Sequence, residues 1–189
     1  MNEFFTALTN AELTVLDFIA QHFTNPVFDA VMPFVSALCS HGEIWIALAL
    51  VMLCFAKTRR TGMAAAFALI FGLVIGNMIL KPTIARIRPY DLTGFELLVP
   101  KLDDYSFPSG HTLASFEAAG AMMMTDKKIG IPALILAIII AFSRLYLYVH
   151  FPTDVIASII LGLLFAYVAV KLTDRIIVKY PGITNSNRK

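Results

Sequence analysis

Three short stretches, far apart in the 189-residue chain, hold side chains that suit phosphate. The first runs Lys81-Pro82-Thr83-Ile84-Ala85-Arg86-Ile87-Arg88-Pro89. The second is Pro108-Ser109-Gly110-His111, and the third is Ser143-Arg144 followed by His150 and Asp154. Lysine offers a compact point charge and arginine a planar fork, and both match phosphate oxygens. A Ser-Gly pair opening a helix turns free backbone N–H groups and the positive dipole end toward an anion. Glycine at 110 lets the backbone approach closely. His111 in the first turn can hand a proton to a departing oxygen. A carboxylate near one nitrogen of His150 fixes its tautomer and raises the basicity of the other, giving a nucleophilic imidazole.

Each stretch also has a plainer reading. Basic residues at the ends of apolar spans snorkel to the interface, and Arg86 reads that way. Ser109 and Asp154 suit helix caps, and a single Ser-Gly-His is weak evidence. The conjunction favours chemistry. Ionisable residues beside membrane spans are costly, and here they fall at the ends of several spans on one side, with the parts of one reaction among them.

The elements that must position these residues look built for lipid. The chain is 58% hydrophobic, with a mean hydropathy of +0.76, against about 45–50% apolar in soluble domains. The net charge of +2 gives no reason to expect a nucleic-acid partner. Cys39 and Cys54 lie in apolar segments and read as packing residues. No CxxC or HExxH stands out, so neither a metal nor a cofactor is expected. The N-terminus carries Glu3 and Glu12 without a basic run, unlike a cleaved signal peptide.

Apolar runs over 25–39, 43–56, 62–80, 109–125, 129–149 and 153–172 predict an all-α polytopic membrane protein. Its fold is a six-helix transmembrane bundle preceded by an amphipathic helix, with the first two spans shorter than the roughly 20 residues a perpendicular helix needs. The expected organisation is an interfacial segment over 1–24, a six-span domain over 25–179 and a tail over 180–189. Gly72-x-x-x-Gly76 suggests close helix packing inside the bundle. Glu117 falls within the fourth span, off the His111 face, with no assigned partner. Ten basic residues, Lys57, Arg59, Arg60, Lys127, Lys128, Lys171, Arg175, Lys179, Arg188 and Lys189, share one side. Lys81, Arg86, Arg88, Lys101 and Arg144 occupy the other. The positive-inside rule then puts both termini in the cytoplasm and the three stretches outside, at a bacterial plasma membrane.

The spacing Lys81-x6-Arg88-Pro89, then Pro108-Ser109-Gly110-His111, then Ser143-Arg144-x5-His150-x3-Asp154 resembles the three-part motif of the type-2 phosphatidic acid phosphatase superfamily. All three parts match in order, without a substitution, and the likeness covers about residues 25–172. It implies a metal-independent lipid phosphatase with His150 as nucleophile, Asp154 as its partner and His111 as general acid. Lys81, Arg88, Ser109, Gly110 and Arg144 become phosphate binders. The implied partners are the bilayer and a membrane lipid phosphate. Undecaprenyl diphosphate is the leading substrate, with phosphatidylglycerophosphate and phosphatidic acid as alternatives. A lipid-to-lipid phosphotransferase and a non-catalytic transporter on the same fold are rivals. Oligomeric state is left open.

Overall fold

The computed structural model describes residues 3–183, so most of the expected tail, 184–189, lies outside the described residues. Among them every regular element is helical. The order is α1 Glu3–Phe23, α2 Pro26–Ala37, α3 Glu43–Cys54 and α4 Arg59–Phe71. A π-helical segment, Gly72–Leu80, continues α4 and leads into α5, Lys81–Ile84. Then follow α6 Pro89–Thr93, α7 Gly110–Thr125, α8 Lys127–Tyr146 and α9 Pro152–Lys179.

Local sequence explains the joints. Asn25 caps α2, its side chain accepting from the backbone N–H groups of Val27 and Phe28, with Pro26 in the first turn. Asp126 alone separates α7 from α8, in extended backbone that reverses the chain while its carboxylate caps α8 at Lys128 N. Pro152 opens α9, and Asp154 at its third position accepts from Phe151 N.

Three helical stretches are long and apolar enough to cross a bilayer: Arg59–Thr93, Lys127–Tyr146 and Pro152–Lys179. α2 and α3 are shorter apolar helices. Ile70, Leu73, Met78, Ile135, Ile138 and Ile160 are exposed, so the outer surface is apolar where a soluble protein would be polar. This is a multi-pass membrane protein.

α7 is the axle of the bundle. Its residues from Ser115 to Met122 are all buried, the signature of a helix with neighbours on every side, and α4, α8 and α9 pack round it. Small residues make this possible. A Cβ added to Gly72 would run into the Glu117 carboxyl, and one on Gly76 would meet Leu113. The Gly72/Gly76 pair therefore serves close packing within the bundle. Trp45 Nε1 ties α3 to α7 through Ser115 Oγ at 3.0 Å. Arg60 and Asp174 pair bidentately at 2.8 and 3.1 Å, joining α4 to α9. Both cysteines are free. α1 is a single helix that sets Glu12, Leu16 and Ile19, all buried, toward the bundle, against α8 and α9.

Candidate active site

The loop from α8 to α9 places the first group. After Tyr146 the chain turns sharply, and Tyr148 takes left-handed backbone at φ 59, which is strained for a bulky residue. The strain is held by contacts. The Tyr148 ring stacks on Phe95 at 4.1 Å, and its hydroxyl donates to Asp17 of α1 at 2.8 Å. Burial, then the bond to that carboxylate and its charge, push the phenol up to about 12.

The turn delivers His150 into a fully enclosed position. Arg88 Nη1 lies 3.3 Å from His150 Nε2. A guanidinium only donates, so Nε2 is the acceptor and Nδ1 carries the hydrogen. Nδ1 faces Ser106 Oγ at 3.5 Å, and Ser106 donates to Asp154 Oδ2 at 2.5 Å. His150 and Asp154 themselves are 3.7 Å apart, outside hydrogen-bond range. Ser106 Oγ thus bridges the two side chains by hydrogen bonds. Asp154 both caps α9 and lies beside the histidine. Burial, then the charges of Arg88, Arg144 and Lys81, hold the His150 imidazole well below its usual range. It is neutral at pH 7, with a lone pair on Nε2 directed at the cations.

Those cations form the second part. Lys81 Nζ sits on Asp104 Oδ2 at 2.5 Å and on Tyr105 O at 3.2 Å. Arg88 donates to Asp104 O at 2.8 Å, to Val149 O at 2.7 Å and to the Asp104 carboxylate. Burial alone would raise the Asp104 carboxyl, but the bond to Lys81 and the charges of Lys81 and Arg88 outweigh it and hold it at about 2. Arg144 is 2% exposed, and among the described residues only its Nη1 has a partner, Ser36 Oγ of α2. Its Nε and Nη2 are buried without one. A buried guanidinium with two idle donors calls for an anion.

The third part is the start of α7. Ser109 is the N-cap residue and its Oγ pairs with Thr112 Oγ1 at 3.0 Å. The first intrahelical bond runs from Leu113 N to Ser109 O, leaving the N–H groups of Gly110, His111 and Thr112 to face out of the helix end. Gly110 packs closely on Asn77, whose Oδ1 lies 3.3 Å from where a Cβ would stand. Among the described residues the His111 ring makes no hydrogen bond. The structure therefore brings His150, His111, Asp154, Lys81, Arg88, Ser109, Gly110 and Arg144 to one end of the bundle.

A cavity of about 310 Å3 lies beside this cluster, between α3, α4 and α7. Its walls are apolar, including Leu50, Ile70, Leu73 and Leu113, with Asn77 and Glu117 among the few polar groups. Leu50, Ile70 and Leu73 are also exposed on the bundle's outer face, so the cavity opens toward the bilayer. Glu117 is 1% exposed, and its Oε2 has no partner among the described residues.

Sequence reasoning missed four contributors. Arg86 does not snorkel: it binds Asp154, Glu12 and Thr153 and lies 3.9 Å above the Phe151 ring. Ser106, Asp104 and Glu12 carried no signal of their own. Only the spacing of Arg86, between Lys81 and Arg88, hinted at a role. Among the described residues no group of three His, Cys, Asp or Glu side chains is placed to hold a metal ion.

A family model described as PAP2 superfamily matches residues 61–177, which contain all three stretches. The chain belongs to the PAP2 superfamily. Among curated PAP2 relatives, an undecaprenyl-diphosphatase of Sulfolobus acidocaldarius is 34% identical over 131 residues, covering 68% of this chain and 63% of that protein. Undecaprenyl-diphosphatase BcrC of Bacillus subtilis is 29% identical over 150 residues, 79% of this chain and 77% of that one. Of solved PAP2 structures, Aquifex aeolicus LpxE superposes with a TM-score of 0.74 at 26% identity, covering 84% of this chain and 94% of its own. A PAP2 type phosphatidylglycerolphosphate phosphatase from Bacillus subtilis gives 0.68 at 25% identity, covering 92% and 89%.

Proposed function

We propose that this PAP2 protein is a metal-independent lipid phosphatase that removes the terminal phosphate of a lipid diphosphate, undecaprenyl diphosphate first, at the outer face of a bacterial plasma membrane. The observation that carries the reading is the neutral His150 Nε2 directed at a cluster of three cations, one of which, Arg144, has two idle buried donors. The names of the relatives favour the diphosphate, and the apolar cavity beside the cluster suits a hydrocarbon chain.

The proposed reaction has two steps. Lys81, Arg88, Arg144 and the N–H groups at the start of α7 hold the non-bridging oxygens and offset the charge that moves in the transition state. Arrival of the phosphate displaces Asp104 from Lys81 and Arg88. His150 Nε2 bonds to phosphorus as the bond to the leaving oxygen breaks, and His111 protonates that oxygen. Asp154, through Ser106, steadies the phosphohistidine cation. Water then attacks phosphorus, giving its proton to His111, and inorganic phosphate leaves with His150 neutral again.

Substrate and metal are tested together. Purified protein in detergent with excess EDTA should release phosphate from undecaprenyl diphosphate faster than from phosphatidylglycerophosphate or phosphatidic acid. Preference for a glycerolipid would move the substrate to the second class, which the phosphatidylglycerolphosphate phosphatase neighbour favours. Activity that dies on chelation and returns with magnesium would overturn metal independence. For sidedness, with Cys39 and Cys54 replaced, a cysteine at Thr93 should react with an impermeant thiol reagent in intact cells. One at Thr58 should react only after lysis. The reverse pattern would turn the site inward.

A further inference from the structure

The region matched by the family model begins at residue 61, yet the support of Asp154 reaches back to α1. We infer that the Glu12–Arg86 pair positions Asp154 for the reaction, which makes α1 a working part of the nucleophile's support. The inference rests on the phosphatase reading above.

Arg86 lies just after Ala85, whose left-handed backbone at φ 49 ends α5. That turn swings the guanidinium across the start of α9. Nη1 donates to Asp154 Oδ1 at 2.5 Å and to Thr153 Oγ1 at 2.8 Å, and Nη2 donates to Glu12 Oε2 at 2.5 Å. Glu12 Oε1 in turn accepts from Thr153 N at 3.0 Å and from Thr153 Oγ1 at 2.5 Å. The Phe151 ring beneath the guanidinium fixes its plane. Glu12 is held by its own helix, because Leu16 and Ile19 on the same face are buried against the bundle.

Charge gives this arrangement a purpose. Asp154 is wholly buried, and among the described residues Arg86 is the one cation paired with it. An unshared Arg86 would cancel the Asp154 charge just where an imidazolium must be stabilised. Glu12 takes part of the Arg86 charge, so two carboxylates share one guanidinium and one negative charge remains for His150. The other charged groups that act on His150 are Arg88, Arg144, Lys81 and Asp104, all on the phosphate side. Both outer nitrogens of Arg86 are committed to carboxylates, so Arg86 is not free to bind phosphate.

The full-length protein in detergent tests this with farnesyl diphosphate and dioctanoyl phosphatidic acid as substrates. Arg86→Met should lower kcat by about 100-fold or more while KM stays within about threefold, because a chemical step and not binding is affected. Glu12→Gln should lower kcat by roughly tenfold, again at constant KM. The double variant should be no slower than Arg86→Met alone, since Glu12 acts through Arg86. Arg86→Lys keeps the charge and should fall between wild type and Arg86→Met, and it carries the test with Glu12→Gln if Arg86→Met does not fold. Wild-type kcat in folded Arg86→Lys and Glu12→Gln would overturn the role, as would a raised KM at unchanged kcat or losses that multiply in the double variant. A wild-type protein silent on both lipids would instead overturn the phosphatase reading itself, and the positioning role with it.

Discussion

The two halves of the site are built to opposite rules. On the His150 side both carboxylate oxygens of Asp154 are used, by Ser106, Phe151 N and Arg86, and the polar groups stand in short, buried contacts. On the phosphate side the cations are over-supplied. Arg144 keeps two donors idle, and Lys81 and Arg88 lean on Asp104, a half-exposed loop carboxylate. A satisfied network is rigid and keeps its geometry. An unsatisfied one stores affinity for whatever anion completes it. The His150 side is therefore held in place by its own contacts, while the cation side keeps donors to spare for an anion.

That contrast can be broken by substitution. The largest effect belongs to the rigid side. His150→Ala should leave a folded protein with phosphate release down by about 1,000-fold or more, because the covalent step is gone. More than a few per cent residual activity would place the nucleophile elsewhere. Arg144→Met tests the cradle. It should cost about 100-fold in kcat/KM, through loss of transition-state charge stabilisation, yet raise the thermal midpoint, because an unpaired buried charge is removed. A lower midpoint would mean that Arg144 is structural.

Ser106→Ala should lower kcat by roughly tenfold with KM unchanged, since it cuts the relay and leaves the cradle intact. Asp104→Asn gives the smallest effect and the opposite sign. It should tighten vanadate binding by about threefold, as a competitor for Lys81 and Arg88 is neutralised. The same carboxylate sets an acid limit. Its folded value of about 2 lies below the ordinary 3.8, so its contribution to loop stability is complete above pH 3.8 and is lost as pH falls through about 2. Acid titration of loop protection by hydrogen exchange should show this loss in wild type and not in Asp104→Asn.

Much of the fold was legible because membrane helices announce themselves by local composition. The runs over 129–149 and 153–172 became α8 and α9, whereas the third run, 62–80, continues as helix through Lys81 and Pro82 to Ile84. The Gly72/Gly76 spacing pointed to close packing, and the structure shows whose atoms fill the space: Glu117 and Leu113. The π-helical winding of Gly72–Leu80 was not legible, since hydropathy is the same for any helix type.

The residues proposed to bind phosphate were singled out from the sequence alone. A cation or histidine that must meet a charged ligand at a membrane end has few substitutes, and the spacing of the three stretches records this. Their supports depended on tertiary structure. Ser106, Asp104, Arg86 and Glu12 are common polar residues whose roles come from neighbours 16 to 141 positions away. Such pairings are decided only when α1, α5 and α9 pack together. For Ser106 and Glu12, both buried, leaving such a pairing unmade would strand a polar group away from water, which is costly.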